Sequence, residues 1–208
     1  MNFYDDKILP HLLNLACSTN EVMHARQQVV PLAAGRVLDV GTGSGLNLAL
    51  YDAKKVEWVW GLEPSAAMRH KARGNVERSP VPVKWLDLPG EQIPLDDESV
   101  DTVVLTFTLC TIPDWALALR QMHRVLKPGG RLLFCEHGQA PDPGVRLWQD
   151  RLTPAWKKLA GGCHLNRPIT DYIEQAGFRI LEVERQYLAK TPRILGYVSH
   201  GQAEKPVV

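Results

Sequence analysis

The chain has 208 residues, 45% of them hydrophobic and 23% charged, the composition of one soluble globular domain. Lys and Arg number 24 against 23 Asp and Glu, a formal charge of +1, so no positive field is available for a phosphate backbone and nucleic acid is not expected as a partner. The four cysteines, Cys17, Cys110, Cys135 and Cys163, are far apart with no Cys-x-x-Cys pair, so neither a metal site nor a disulfide framework is expected. No segment reaches the roughly 18 apolar residues of a membrane span and no signal peptide is evident, so integral membrane association is not expected and a cytoplasmic location is.

In chain order, Met1 to Pro31 reads as two short helices, with Ile8, Leu9, Leu12, Leu13 and Ala16 at helical spacing and Ser18-Thr19-Asn20 as the break between them. After Ala34-Gly35 a short apolar run, Val37 to Val40, is stopped by glycines, and Leu46 to Ala53 suits a helix. Val56 to Leu62 is a strand and Ser65 to Arg73 a helix entered through Pro64. Val81 to Leu86 is a further strand, Pro89 to Glu98 a loop, Val100 to Phe107 a strand and Trp115 to Leu126 a helix. Arg131 to Glu136 is a strand after the turn Lys127-Pro128-Gly129-Gly130. Continuous β-branched and leucine runs between helices point to an α/β fold with a mostly parallel sheet covered on both faces.

From Pro141 to Arg167 the alternation is lost, and the segment reads as an inserted cap containing Trp148, Trp156 and a Gly161-Gly162 break. The helix Ile169 to Gln175 follows, then strands Phe178 to Tyr187 and Arg193 to Ser199 joined as an antiparallel hairpin, and a frayed tail from Gly201 to Val208. The whole is a single domain over 1–208: a helical lead-in (1–34), a core (35–140), the cap (141–167), and a final helix with two strands (168–200).

Gly41-Thr42-Gly43-Ser44-Gly45, between a strand and a helix, lets backbone approach a ligand with no Cβ in the way. A dinucleotide fingerprint would need glycine where Leu46 stands, and a phosphate loop would need a Lys-Ser/Thr pair that is missing. Glu63 closes the second strand about twenty residues on, where a carboxylate can accept both hydroxyls of a ribose; capping the following helix is the other use open to it. A nicotinamide-dependent oxidoreductase shares this strand-loop-helix logic, and Leu46 argues against it.

The segments Val37 to Gly45, Gly61-Leu62-Glu63-Pro64-Ser65 and Arg124 to Arg131 resemble three motifs of the class I S-adenosylmethionine-dependent methyltransferases. The resemblance implies a Rossmann-like sheet of seven strands in the order 3-2-1-4-5-7-6, with S-adenosylmethionine across the carboxyl ends of the first strands. It places Asp39, Gly41, Thr42, Gly43 and Gly45 at the methionine moiety, Glu63 at the ribose and Met68 near the adenine, with Pro64 also among the cofactor-binding residues. Where the family commonly has Asp-Ala in the third loop this chain has Leu88-Pro89-Gly90-Glu91, so the adenine falls to Gly90 and Glu91, or to Asp87 in a shifted register. Thr106 belongs to the same cofactor set.

Leu109 and Cys110 follow the fourth strand, where related enzymes bring the acceptor beside the methyl group; Cys110 reads as a nucleophile or as a small core residue. His137 ends the fifth strand and is the candidate base, a structural imidazole being the other reading. Trp148 and Trp156, with His164, are candidates for an acceptor wall, or for packing on the sheet. The region from Val37 to about Tyr197 is similar to small membrane-associated thiol methyltransferases of animals and to bacterial phospholipid and quinone methyltransferases, and the hydrophobic anchor of the animal enzymes has no counterpart here. The resemblance implies methyl transfer to a small apolar molecule, a thiol first, with a phospholipid amine or a quinone precursor as the alternative acceptor. A catalytically silent S-adenosylmethionine-binding protein is the alternative outside enzymes.

Overall fold

A computed structural model describes residue 4 and residues 8–207. The strand runs that are apolar at every position are buried on both sides, and their alternate residues feed two cores. Leu38, Val40, Val103, Leu105, Leu132 and Phe134 pack on one face of the sheet. Val37, Val59, Val104, Leu133 and Cys135 pack on the other. Period-two alternation thus serves two helical layers at once, which is why these segments read as continuous hydrophobic runs.

The elements are α1 (Leu9–Cys17), α2 (Asn20–Val29), β1 (Gly35–Val40), β2 (Val56–Leu62), α3 (Ala66–Glu77), β3 (Val83–Leu86) and β4 (Val100–Thr106). They continue with α4 (Trp115–Val125), β5 (Leu126–His137), α5 (Pro143–Leu159), α6 (Ile169–Gln175), β6 (Arg179–Tyr187), α7 (Arg193–Gly196) and β7 (Tyr197–Glu204). The sheet has seven strands in the order β3-β2-β1-β4-β5-β7-β6. The first five are parallel and β7 runs antiparallel between β5 and β6. α4 and α6 cover one face, through Leu119, Met122 and Ile173, and α2 covers the other through Val22, Ala25 and Val29.

Four sequence expectations are corrected. Leu46 to Ala53 is not an α-helix: i to i+3 turns lead to a single 3-10 turn at Leu48–Leu50. Gly41, Gly43 and Gly45 have φ of +68°, +58° and +80°, and this left-handed backbone does not feed a right-handed helix. Lys127 to Gly130 is not a turn ahead of a strand but an excursion inside β5, where Val100 pairs with Leu126 and Thr102 already with Arg131. Arg193 to Gly196 forms a helical turn, and the strand begins only at Tyr197.

The stretch from Gly201 is not a frayed tail. Gly201 to Glu204 pair with both neighbours of β7, and a Cβ at Gly201 would come 2.1 Å from the Glu182 carbonyl oxygen. Lys205 then bonds the Gly130 carbonyl through its backbone N–H (3.1 Å) and the Leu126 carbonyl through Nζ (2.9 Å). Residues this polar are held by backbone ladder bonds, to which Glu204 adds ion pairs with Arg131 and Arg179. Among the described residues no helix is long and apolar enough to cross a membrane.

Candidate cofactor cleft and acceptor side

The carboxyl ends of β1, β2 and β4 open onto a cleft of about 610 Å³, within the range of small-molecule sites. Gly41, Thr42 and Gly43 form one side, Glu63, Pro64 and Met68 a second, and Thr106, Phe107 and Thr108 the floor. Both glycines sit at positive φ, and at Gly41 a neighbour also leaves no room. A Cβ at Gly41 would lie 2.3 Å from Thr108 Cγ2, and one at Gly43 3.3 Å from Met68 Cε.

Glu63, 8% exposed, is fixed by two backbone donors: Gly43 N–H to Oε2 (3.0 Å) and Ser65 N–H to Oε1 (2.8 Å). Burial raises its pKa against the pull of these bonds. Glu63 thus supports the entry to α3 and also borders the cleft. The Ser65 hydroxyl caps α3 by accepting from Met68 N–H at 3.3 Å.

Asp39 lies under the glycine loop and does not line the cleft. It is fully buried and accepts from Asn47 Nδ2 (3.0 and 3.1 Å) and Tyr51 OH (3.0 Å). Burial pushes its pKa up to about 6, and the Tyr51 hydroxyl is driven well above its usual value by burial and by Asp39. Asn47 in turn accepts from Arg26 (2.7 Å), which also donates to the Thr106 hydroxyl at 2.5 Å. Arg26 lines the cleft, and its Nε has no partner.

Arg26 and the wall formed by Leu9, Leu13, Asn14 and Cys17 of α1 were missed by sequence reasoning. A signal existed for the first, since Arg26 interrupts the apolar face Val22, Ala25 and Val29 of α2. For α1 there was none beyond amphipathicity; the Ser44 hydroxyl holds it over the loop by donating to Asn14 Oδ1 at 2.6 Å. Gly45, Gly90 and Glu91 are outside the cleft lining. Gly45 passes close to α3, with Ala72 and Asn75 within 3.5 Å of a Cβ placed there; one at Gly90 would meet Ile112 at 3.1 Å, and Glu91 accepts from Asp114 N–H at 3.2 Å.

On the cleft floor Phe107 has φ of +52° and stacks its ring under Arg26, 5.1 Å from the guanidinium carbon. A non-glycine residue so strained in a cleft is held by its surroundings. Here the fully buried Glu136 does this, accepting from Thr108 N–H (2.7 Å) and Leu109 N–H (3.1 Å) while burial pushes its pKa up to about 7. Leu109 is core, and Arg167 donates to the carbonyls of Leu109 and Ile112 beside it.

Cys110 and Cys163, 53 residues apart in the chain, pack together with Ala160 and Trp156. His137 Nε2 lies 3.0 Å from Cys163 Sγ, and His164 Nδ1 lies 3.2 Å from the Cys110 carbonyl oxygen. The wide sequence spacing of these cysteines is thus undone by the fold. A hydrogen bond from Cys110, aided by His137, lowers the Cys163 pKa; burial alone would lower that of His137, but Cys163 leaves it raised. Trp148 is not brought here: it is 51% exposed on the outer face of α5, with Arg151 over its ring. The buried face of that helix is polar, Gln149 and Thr153, and Gln149 ties Ala140 N–H, Gly138 O and Ile194 O.

Residues 38–134 match the family model described as a methyltransferase domain. The thiol S-methyltransferase TMT1B of Homo sapiens is 32% identical over 175 residues, 79% of this chain and 71% of that protein. The Rattus norvegicus TMT1B is 41% identical over 108 residues, and there the match spans only 44% of the relative's length. The demethylmenaquinone methyltransferase of Clavibacter sepedonicus is 29% identical over 152 residues, covering 71% of this chain and 60% of that protein. Among solved structures an S-adenosylmethionine-dependent methyltransferase of Thermotoga maritima superposes with a TM-score of 0.66 over 98% of both chains at 22% identity, a likeness of fold. A relative sharing this much sequence over this much length decides membership: the chain belongs to the class I S-adenosylmethionine-dependent methyltransferases, and its cofactor is S-adenosylmethionine.

Proposed function

We propose that the chain methylates a small apolar thiol. The observation that carries this reading is the cleft itself, in which the glycine loop and Glu63 stand opposite an apolar wall of Leu9, Leu13 and Cys17 and above the strained Phe107 turn. The identity to the human thiol S-methyltransferase, which extends past the cofactor motifs, supports the choice of acceptor.

Gly41, Thr42 and Gly43 would hold the methionine portion, Arg26 its carboxylate, and Glu63 the ribose hydroxyls through the carboxylate lone pairs that Gly43 and Ser65 leave free. S-adenosylmethionine supplies a methyl group on a sulfonium, already activated toward displacement. The protein therefore contributes alignment and exclusion of water. A thiol suits such a site because, with a pKa of about 8.5, a few per cent of it is nucleophilic thiolate near neutrality. Methylation of a quinone precursor is the second reading, favoured by the Clavibacter relative.

Calorimetric titration with S-adenosylmethionine, followed by mass spectrometry of products from an alkyl thiol, a phenol and an amine, tests the proposal. Saturable cofactor binding and a methyl thioether from the thiol alone are expected. A methylated phenol with no thioether would exchange the two acceptors, and cofactor binding with no product from any of the three would leave a silent binding protein.

A further inference from the structure

Cys110 follows β4, His137 ends the adjacent β5 and Cys163 lies in the loop after α5, so the sheet order places the first two together and the return of α5 adds the third. Their two Sγ atoms and an imidazole nitrogen lie within 4.8 Å of one another. Donor atoms around a tetrahedral zinc, with bonds of about 2.0–2.3 Å, stand roughly 3.5 Å apart, so the trio needs adjustments of about an ångström. Cys110 is 2% and Cys163 7% exposed, which spares both thiols competition from bulk water.

The positions of the trio are also held from outside. Arg167 donates to the carbonyls on either side of Cys110, at Leu109 and Ile112, and His164 N–H donates to the Cys110 carbonyl at 2.8 Å, which fastens the Cys163 loop to the Cys110 turn. Two sulfurs and one imidazole form a donor set that selects zinc-class cations, and three protein ligands leave the fourth tetrahedral position open. Thr111, next after Cys110, and Gly161, two residues before Cys163, both line the cleft while the three donors lie just behind that lining, so the fourth position is reached past these two residues.

We propose that Cys110, His137 and Cys163 hold a zinc-class divalent cation whose fourth position receives the sulfur of the acceptor. The site stands on these residues alone; the identity of its occupant rests on the thiol reading above. Metal uptake releases the protons of the two cysteines. The acceptor R–SH then coordinates as R–S⁻, its proton passing to water. Its sulfur forms the new S–CH₃ bond as the sulfonium S–CH₃ bond breaks, the electron pair of the broken bond staying on the departing sulfur. No electrons are gained or lost overall, and the neutral thioether, a weaker ligand, leaves.

The test begins with the full chain, reduced and stripped by chelator, titrated with Co²⁺ without cofactor or acceptor. One ion per chain, thiolate-to-cobalt charge-transfer absorption and tetrahedral visible bands are expected, with displacement by Zn²⁺. Losing an outer-sphere partner of a metal already costs 10–100-fold in affinity, so Cys110→Ser and Cys163→Ser should each weaken binding by more than about 100-fold. Cys135→Ala, whose sulfur lies in the core away from the trio, should keep it. Zn²⁺ should raise the melting temperature of the wild type and not of a folded His137→Gln variant. No stoichiometric uptake, or unchanged affinity in the two serine variants, overturns the site. Full thiol turnover by the stripped protein overturns its role in acceptor binding, whereas tight metal binding with no methylated thiol refutes the thiol reading and keeps the metal.

Discussion

Two neighbouring regions of the molecule, the cofactor cleft and the cysteine–histidine cluster, are built on different principles. At the cofactor end, β1 and β2 deliver Gly41 to Gly43 and Glu63 by strand register, and the contacts are backbone N–H groups meeting one carboxylate. Beside it and outside the cleft lining, Cys110, His137, Trp156 and Cys163 come from the loop after β4, from β5, from α5 and from the loop after α5, and meet through their side chains. The first depends on the absence of side chains and the second on their convergence. Geometry that serves a constant ligand is written into the backbone, while the part that can vary between relatives is left to side chains.

Substitutions can break this contrast, beginning with the one of largest effect. Gly43→Val places a β-branched side chain at φ +58°, 3.3 Å from Met68, and should lower S-adenosylmethionine affinity by more than about 100-fold with the circular dichroism unchanged. Unchanged affinity in calorimetry would show that the loop is no backbone cradle.

Asp39→Asn probes the layer beneath. The Asp39 carboxyl has a pKa of about 6 in the folded protein against 3.8 ordinarily, so the fold holds its proton more tightly than the unfolded chain does. Its contribution is most favourable below about pH 4, declines as pH rises toward 6 and is level above. Two pKa units correspond to roughly 3 kcal/mol, so wild-type stability measured against Asp39→Asn should fall by about that much over this range. Denaturant melts at several pH values check it, and a parallel pair of profiles would remove Asp39 as a buried titrating group.

Glu63→Gln keeps one acceptor oxygen and loses the charge, and a charge-assisted bond of about 1.5–3 kcal/mol implies at least about tenfold weaker cofactor binding with little change in acceptor KM. An effect on KM alone would move Glu63 to the acceptor end. The smallest effect is expected at Trp148. Trp148→Ala should shift stability by no more than about 0.5 kcal/mol and leave the kinetics alone, because the indole faces solvent. Trp156→Ala, beside Cys110 and Cys163, should instead raise acceptor KM. Equal responses of the two tryptophans would erase the distinction between the faces of α5.

β2, α2 and α6 were legible in sequence because burial and period agree there, α1 was legible by period alone since it buries only Leu9 and Pro10, and the strand order was implied by the resemblance that three short motifs carry. The glycine loop was legible as a turn, but not as a turn without a following helix, since left-handed φ at three alternate residues leaves no periodic trace. α5 was missed as one helix because Pro154 interrupts it and because its buried residues, Gln149 and Thr153, are polar while Trp148, Leu152 and Leu159 face out. Hydrophobic patterning therefore pointed to the wrong face. The Cys110–His137–Cys163 cluster could not be read at all, as it exists only once β4 and β5 are adjacent and α5 has turned back.

β7 enters the sheet between β5 and β6, pairing Arg131 with Glu204 and Arg179 with that same Glu204. During synthesis, then, β5 leaves the ribosome with one edge bare and stays so until the stretch from Tyr197 to Glu204 follows. Contacts this distant in sequence close late and slow folding. In the interval a strand as apolar as Leu132 to Cys135 offers an unpaired edge to any neighbouring chain, so removing Tyr197 to Val208 should promote aggregation rather than merely weaken the enzyme.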